Sequence, residues 1–201
     1  NIFASIGISI FPEDSGDIES LYRYADAAMY QAKVLGRNRY YFFSDSIETS
    51  MRARHLLDHG MRSALEDGIF NVYYQAKVDA KNNQVVGLEA LVRWCNNEGV
   101  FISPSEFIPL AEETGLIVSI GRYVLLQACK DAKMLHDLGY EIPVSVNISV
   151  VQFRDEHFLG MVESALKETR LEGRFLEMEI TEGVLARDIY NAREKLMNLK
   201  F

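Results

Sequence analysis

The 201-residue chain carries 21 basic and 29 acidic side chains, a net charge of −8, which excludes a binder of nucleic-acid polymers that relies on a broad basic surface. Its length suits one domain or two small ones with a buried core, no signal-peptide pattern opens it, and no apolar run approaches the roughly 18 residues of a membrane segment. Cys95 and Cys129 stand alone, without a CxxC pair or neighbouring histidines, so neither a disulfide framework nor a zinc site is expected and a reduced, cytoplasmic protein fits.

Ile2 to Phe11 reads as a strand and is followed by the turn-forming run Pro12-Glu13-Asp14-Ser15-Gly16. Asp17 is placed to cap a helix, along which Leu21, Tyr24, Ala25, Ala28, Met29 and Ala32 trace one face up to the stop at Gly36. Arg39 to Phe43 returns as a strand. A strand-helix-strand unit of this size, below about 60 residues, is too short to fold alone. From Ser46 to Asp67 the pattern predicts another helix, with Ile47, Met51, Leu57, Met61 and Leu65 on one side. Such a helix either connects two regulatory units, transmitting motion or mediating a homodimer, or packs as the first helix of the next domain; the residues leave both open. His55 and His59 sit on it at i, i+4 spacing with no third metal donor nearby.

Ile69 to Val78 is a strand in which Asn71, Tyr73 and Gln75 alternate with Phe70, Val72 and Tyr74. The turn from Asp79 to Asn83 leads directly into a second run, Gln84 to Trp94, and so short a connection requires an antiparallel pair. In the second run Glu89, Leu91 and Arg93 point one way while Leu88, Ala90, Val92 and Trp94 point the other. A carboxylate that can hold a hard cation, followed by a guanidinium fork that can grip a phosphate, is the minimum equipment for a phosphodiester. Two later strands repeat the pattern: Val144 to Ser149 turns Ser145, Asn147 and Ser149 to one side, and Phe175 to Glu182 does the same with Glu177, Glu179 and Thr181. One such strand is ordinarily a half-buried strand with a solvated face. Three together point to a shared site of inward-facing oxygen donors.

Between these strands lie a loop at Ser103-Pro104, a helix from Ser105 to Glu113, a long helix from about Ser119 to Leu138 that stops near Gly139, helical residues from about Glu156 to Thr169, and a last helix from Asp188. Alternation of this kind argues for parallel strands wrapped by helices, with chemistry at the strand ends of a barrel. Closure takes about eight strands, and only four are counted before Phe201. The polypeptide is therefore expected to continue, or to have been trimmed at both ends.

Glu89-Ala90-Leu91-Val92-Arg93, Ser103-Pro104 with Glu106 to Leu116, Val146-Asn147-Ile148-Ser149 with Gln152, and Glu179-Ile180-Thr181-Glu182 together resemble, in order and spacing, the EAL-domain family of cyclic di-GMP phosphodiesterases. The front segment, through Ala4 to Ser9, Tyr24 to Lys33 and Gly36 to Arg39, is similar to the C-terminal third of a GGDEF, or diguanylate cyclase, domain, without the signature loop. The implied fold is α/β: an incomplete TIM-like (β/α) barrel with an antiparallel first strand, preceded by a strand-helix-strand remnant. The implied organisation is a remnant over 1–45, a connecting helix over 46–67 and the N-terminal half of the EAL domain over 68–201.

The resemblance gives Glu89, Asn147 and Glu179 roles as catalytic ligands of a Mg²⁺ or Mn²⁺ pair, and Gln75, Leu91 and Arg93 contacts to cyclic di-GMP. Glu182 matches a position that steadies an active-site loop, in keeping with its opposite parity to Glu179. Lys33 and Arg37 correspond to triphosphate-gripping positions of the cyclase family, or are ordinary helix-end cations. The family's second-metal aspartates, its catalytic lysine and further glutamates belong to sequence past Phe201, and Ala76 replaces the usual proline after the glutamine. Hydrolysis of cyclic di-GMP to the linear dinucleotide is the leading expectation. A noncatalytic cyclic di-GMP receptor, or a cyclase with a regulatory EAL part, are the alternatives.

Overall fold

Asp17 caps the first helix: its carboxylate accepts from the Ser20 amide at 2.8 Å, and the helix, α1, runs from Ile18 to Val34. The computed structural model describes residues 3–96 and 98–180, and the chain divides into two compact units, Asn1–His59 and Gly60–Phe201.

In the first unit β1 (Ser5–Ile8) and β2 (Arg39–Phe42) pair in parallel on either side of α1 in sequence, with Ser5 opposite Arg39 and Ile8 opposite Phe42. β1 is shorter than the expected Ile2–Phe11, because Ile10 spends both backbone groups on a turn: its amide donates to the Asp14 carboxylate at 2.6 Å and its carbonyl accepts from the Asp14 amide at 2.8 Å. α1 lies so close to β1 that a Cβ at Gly7 would fall 1.9 Å from the Ala25 carbonyl oxygen and 2.2 Å from the Met29 nitrogen. Only glycine permits that approach. Tyr24 stacks on Phe43 at 3.9 Å beside buried Ala27, Ala28 and Ile47. The next helix, α2, is one continuous element from Asp45 to Glu66, as its sequence pattern predicts.

The second unit is built on β3 (Asn71–Val78), β4 (Val85–Cys95), β6 (Val144–Ile148) and β7 (Leu176–Ile180), in the spatial order β3-β4-β6-β7. β3 and β4 form the antiparallel hairpin that the short turn demands, and β4-β6 and β6-β7 are parallel. The crossovers are helical: α3 (Pro104–Thr114) and α4 (Leu116–Asp137) join β4 to β6, and α5 (Val150–Arg154) and α6 (Phe158–Thr169) join β6 to β7. A two-residue strand, β5 (Phe101–Ile102), pairs back onto the end of β4, and neither it nor α5 is expected from the sequence. Both are too short to leave a periodicity.

Local signals set the boundaries. Ser103 caps α3 with Pro104 in its first turn, and Gly115 at φ 77° ends that helix and starts the next. α4 buries Ile117, Ile120, Val124, Leu125, Ala128 and Ala132 along one stripe, and each large apolar side chain so buried contributes about 1.5–3 kcal/mol before entropy is counted. Phe70, Trp94 and Phe107 form an aromatic cluster with ring centroids 5.7–5.9 Å apart. Two tyrosines bolt α4 to the sheet: Tyr123 donates to the Phe70 carbonyl at 2.7 Å, and Tyr74 to Asp131 at 2.5 Å.

Candidate functional site

Registry in the sheet places the predicted side chains. Gln75 on β3 is opposite Glu89 on β4, Glu89 is level with Ser145 on β6, and Asn147 is level with Glu179 on β7. Asn147, two residues beyond Ser145 on the same strand face, donates its side-chain amide to Glu89 Oε1 at 2.7 Å. The three residues expected to share a site therefore come from three adjacent strands, with Asn147 in contact with Glu89 and beside Glu179. Leu91, Arg93, Asn147 and Glu179 all line one cavity of about 320 Å³, walled on its apolar side by Ile117 and Val124 of α4.

Arg93 is held by its own strand: Nη1 donates to the Val92 carbonyl at 2.9 Å, and the guanidinium carbon lies 6.0 Å from the Tyr73 ring. The fork keeps further N–H groups for an anion.

One participant escaped the sequence reading. Lys77 on β3 reaches across the sheet, with Nζ 2.6 Å from Glu179 Oε1 and 3.4 Å from Glu177 Oε2. Adjacent strands lie about 4.8 Å apart, so three strand-to-strand steps are bridged only because the sheet curls toward this face. The Lys77 ammonium beside it holds the Glu179 carboxyl below its ordinary value. The same bond raises the lysine above its own ordinary value. Lys77 has the parity of Asn71, Tyr73 and Gln75, so extending the β3 alternation by one step places it on the site face.

Two expected oxygen donors do other work. Ser145 is buried and its hydroxyl donates to the Leu88 carbonyl at 3.3 Å. Ser149 is not part of the strand: β6 ends at Ile148, and Ser149 caps α5 in a reciprocal box with Gln152, its hydroxyl accepting from the Gln152 amide at 3.1 Å while Gln152 Oε1 accepts from the Ser149 amide at 3.1 Å. A serine followed three residues later by glutamine is a helix start, and that competing signal overrides the alternation. Gln152 itself sits in a notch on α4, where a Cβ at Gly121 would lie 1.7 Å from its Nε2.

Glu182 and Thr181 lie outside the described residues, as does the helix expected from Asp188. Lys33 is in the last turn of α1, and Arg37 follows it with φ 58°. Among the described residues no three His, Cys, Asp or Glu side chains gather to hold a metal, the His55 and His59 pair included. The candidate donors on β4, β6 and β7 are two carboxylates and one amide, and these are hard oxygen ligands of the kind Mg²⁺ and Mn²⁺ take. No helix among the described residues is long and apolar enough to cross a membrane.

The sequence matches the EAL domain family over residues 59–200 and the diguanylate cyclase GGDEF domain family over residues 1–39. It is 42% identical over 188 residues to the bifunctional diguanylate cyclase/cyclic di-GMP phosphodiesterase MucR of Pseudomonas aeruginosa, covering 93% of this chain and 27% of that protein. It is 35% identical over 195 residues to the signaling protein YkoW of Bacillus subtilis, covering 97% of this chain and 24% of that one. The chain thus spans about a quarter of the length of these relatives. Among solved structures, the PaMucR phosphodiesterase in complex with c-di-GMP superimposes with a TM-score of 0.69 at 39% identity, over 72% of this chain and 59% of that one. The antiparallel first strand and the parallel strands that follow accordingly form the incomplete TIM-like sheet of that fold, and the chain belongs to the EAL domain family, with a GGDEF C-terminal fragment in front of it.

Proposed function

We propose that the protein to which this chain belongs hydrolyses cyclic di-GMP to the linear dinucleotide, with Glu89, Asn147 and Glu179 as ligands of a divalent cation, Mg²⁺ or Mn²⁺. The observation that carries this reading is the contact of Asn147 with Glu89 at 2.7 Å; Asn147 is level with Glu179, and both line a cavity with Arg93, whereas Glu89 and Gln75 are not among its lining residues. A bound divalent cation at such a site supplies charge neutralisation on phosphoryl oxygens and a more acidic water. The protein's own groups do the rest. Arg93 pairs with a phosphate of the ring through its guanidinium fork, Leu91 offers apolar contact on the cavity wall, and Gln75, opposite Glu89, offers an amide to the same ligand.

Residues 1–45 form the remnant of the cyclase-like domain, 46–67 a connecting helix and 68–201 the N-terminal half of the phosphodiesterase domain. The free thiols of Cys95 and Cys129 suit a reducing cytoplasm.

Incubating the full-length protein with cyclic di-GMP and Mg²⁺ or Mn²⁺, and resolving the products by chromatography, tests the activity. Linear dinucleotide is expected. Tight binding without product under either metal would replace the hydrolase with a receptor.

A further inference from the structure

Lys77 performs no step in the reaction proposed above, yet it touches one of the residues that reaction needs. Its stem crosses the sheet over a gap. Gly87, its register partner on β4, has no side chain, and a Cβ built there would meet Lys77 Cδ at 3.4 Å and Lys77 Cβ at 3.8 Å. On β6 the residue level with Glu89 on the same face is Ser145, small and with its hydroxyl given to the Leu88 carbonyl. The lane that these two residues leave open ends at β7, where Nζ lies 2.6 Å from Glu179 Oε1 and 3.4 Å from Glu177 Oε2.

A carboxylate has two oxygens and about four acceptor positions, so one oxygen fixed by an ammonium leaves the other to serve a cation. Partners behind a metal ligand orient it and limit its rotamers. We infer that Lys77 is a positioning residue for Glu179: by holding Oε1 against β3 it fixes the carboxylate and leaves Oε2 for a divalent cation. The inference rests on the metal role proposed for Glu179. Glu177 is the second anchor of the same ammonium and keeps it from moving onto the cation's ground.

Calorimetric titration of the full-length protein with Mn²⁺ alone, without substrate, tests this separately from turnover. Lys77→Met is expected to weaken Mn²⁺ binding by about 10- to 100-fold, and Lys77→Arg, which keeps the charge and a donor, to restore part of the loss. A merely structural lysine would leave Mn²⁺ affinity unmoved in a folded variant. Should Lys77→Met misfold, Lys77→Gln is titrated in its place with the same expectation. Equal or tighter Mn²⁺ binding in the variant, with normal binding in the wild type, overturns the role of Lys77 and leaves the metal site standing. Absence of Mn²⁺ binding in the wild type overturns both.

Discussion

Asn147 gives its amide hydrogen to Glu89 Oε1 at 2.7 Å across the β4-β6 pair, and this fixes how the two side chains divide their work. With its nitrogen committed to the glutamate, Asn147 can meet a cation only through its carbonyl oxygen. Glu89 keeps a second oxygen for the same purpose.

Glu89→Gln is expected to abolish metal-dependent hydrolysis in the full-length protein while sparing the fold, because the substitution removes charge and keeps shape. Stability should change by no more than about 1 kcal/mol, since Glu89 is only partly buried. Product formation and a urea denaturation curve measure the two arms, and undiminished hydrolysis would remove Glu89 from the ligand set.

Gly7→Ala is expected to break the seating of α1 on β1. The added methyl group would meet backbone atoms of Ala25 and Met29 at about 2 Å, and backbone cannot rotate away as a side chain can. Overpacking of this kind costs about 1–3 kcal/mol or more. Amide hydrogen exchange should show α1 losing protection while α4 keeps it; unchanged protection along α1 would contradict the close approach.

Tyr74→Phe should cost about 1–3 kcal/mol at neutral pH, because it strips a hydrogen bond from the partly buried Asp131 and leaves it the bond from Gln127 at 2.8 Å. Burial, then the Asp131 carboxylate, raises the Tyr74 phenol above its ordinary value of 10.0. A phenol whose folded value is raised contributes stability that is complete below the unfolded value and lost as pH rises through the folded one. The gap between wild type and Tyr74→Phe should therefore narrow in strong alkali. Burial likewise pushes the Cys129 thiol up to about 12, which adds an alkaline lability common to both proteins. Melting temperatures taken from neutral pH upward decide the matter, and a gap that widened with alkali would reverse the assigned sign.

Much of this architecture is legible in the residues because local chemistry and long-range packing agree there. Asp17 announces a helix start that the structure uses, and the short turn after Val78 dictates the antiparallel pair. Alternation in β4 and β6 brings Glu89 and Asn147 to one face without knowledge of any contact. Alternation fails at Ser149, where a capping box takes precedence over the strand. It is silent on Lys77, whose partners are about a hundred residues away on a strand that only the curl of the sheet brings near. Residue parity predicts which way a side chain points, but not how far across a curved surface it reaches.

The notch at Gly121 ties a helix position to the ending of a strand. Gln152 occupies the volume that any larger residue at 121 would need, and the same glutamine closes the turn by which β6 stops just past Asn147. Sites 121 and 152 are thus sterically coupled. Diversifying both at once should recover bulk at the first only alongside a trimmed side chain at the second, and at that point the chain forfeits the punctuation that keeps its asparagine in place.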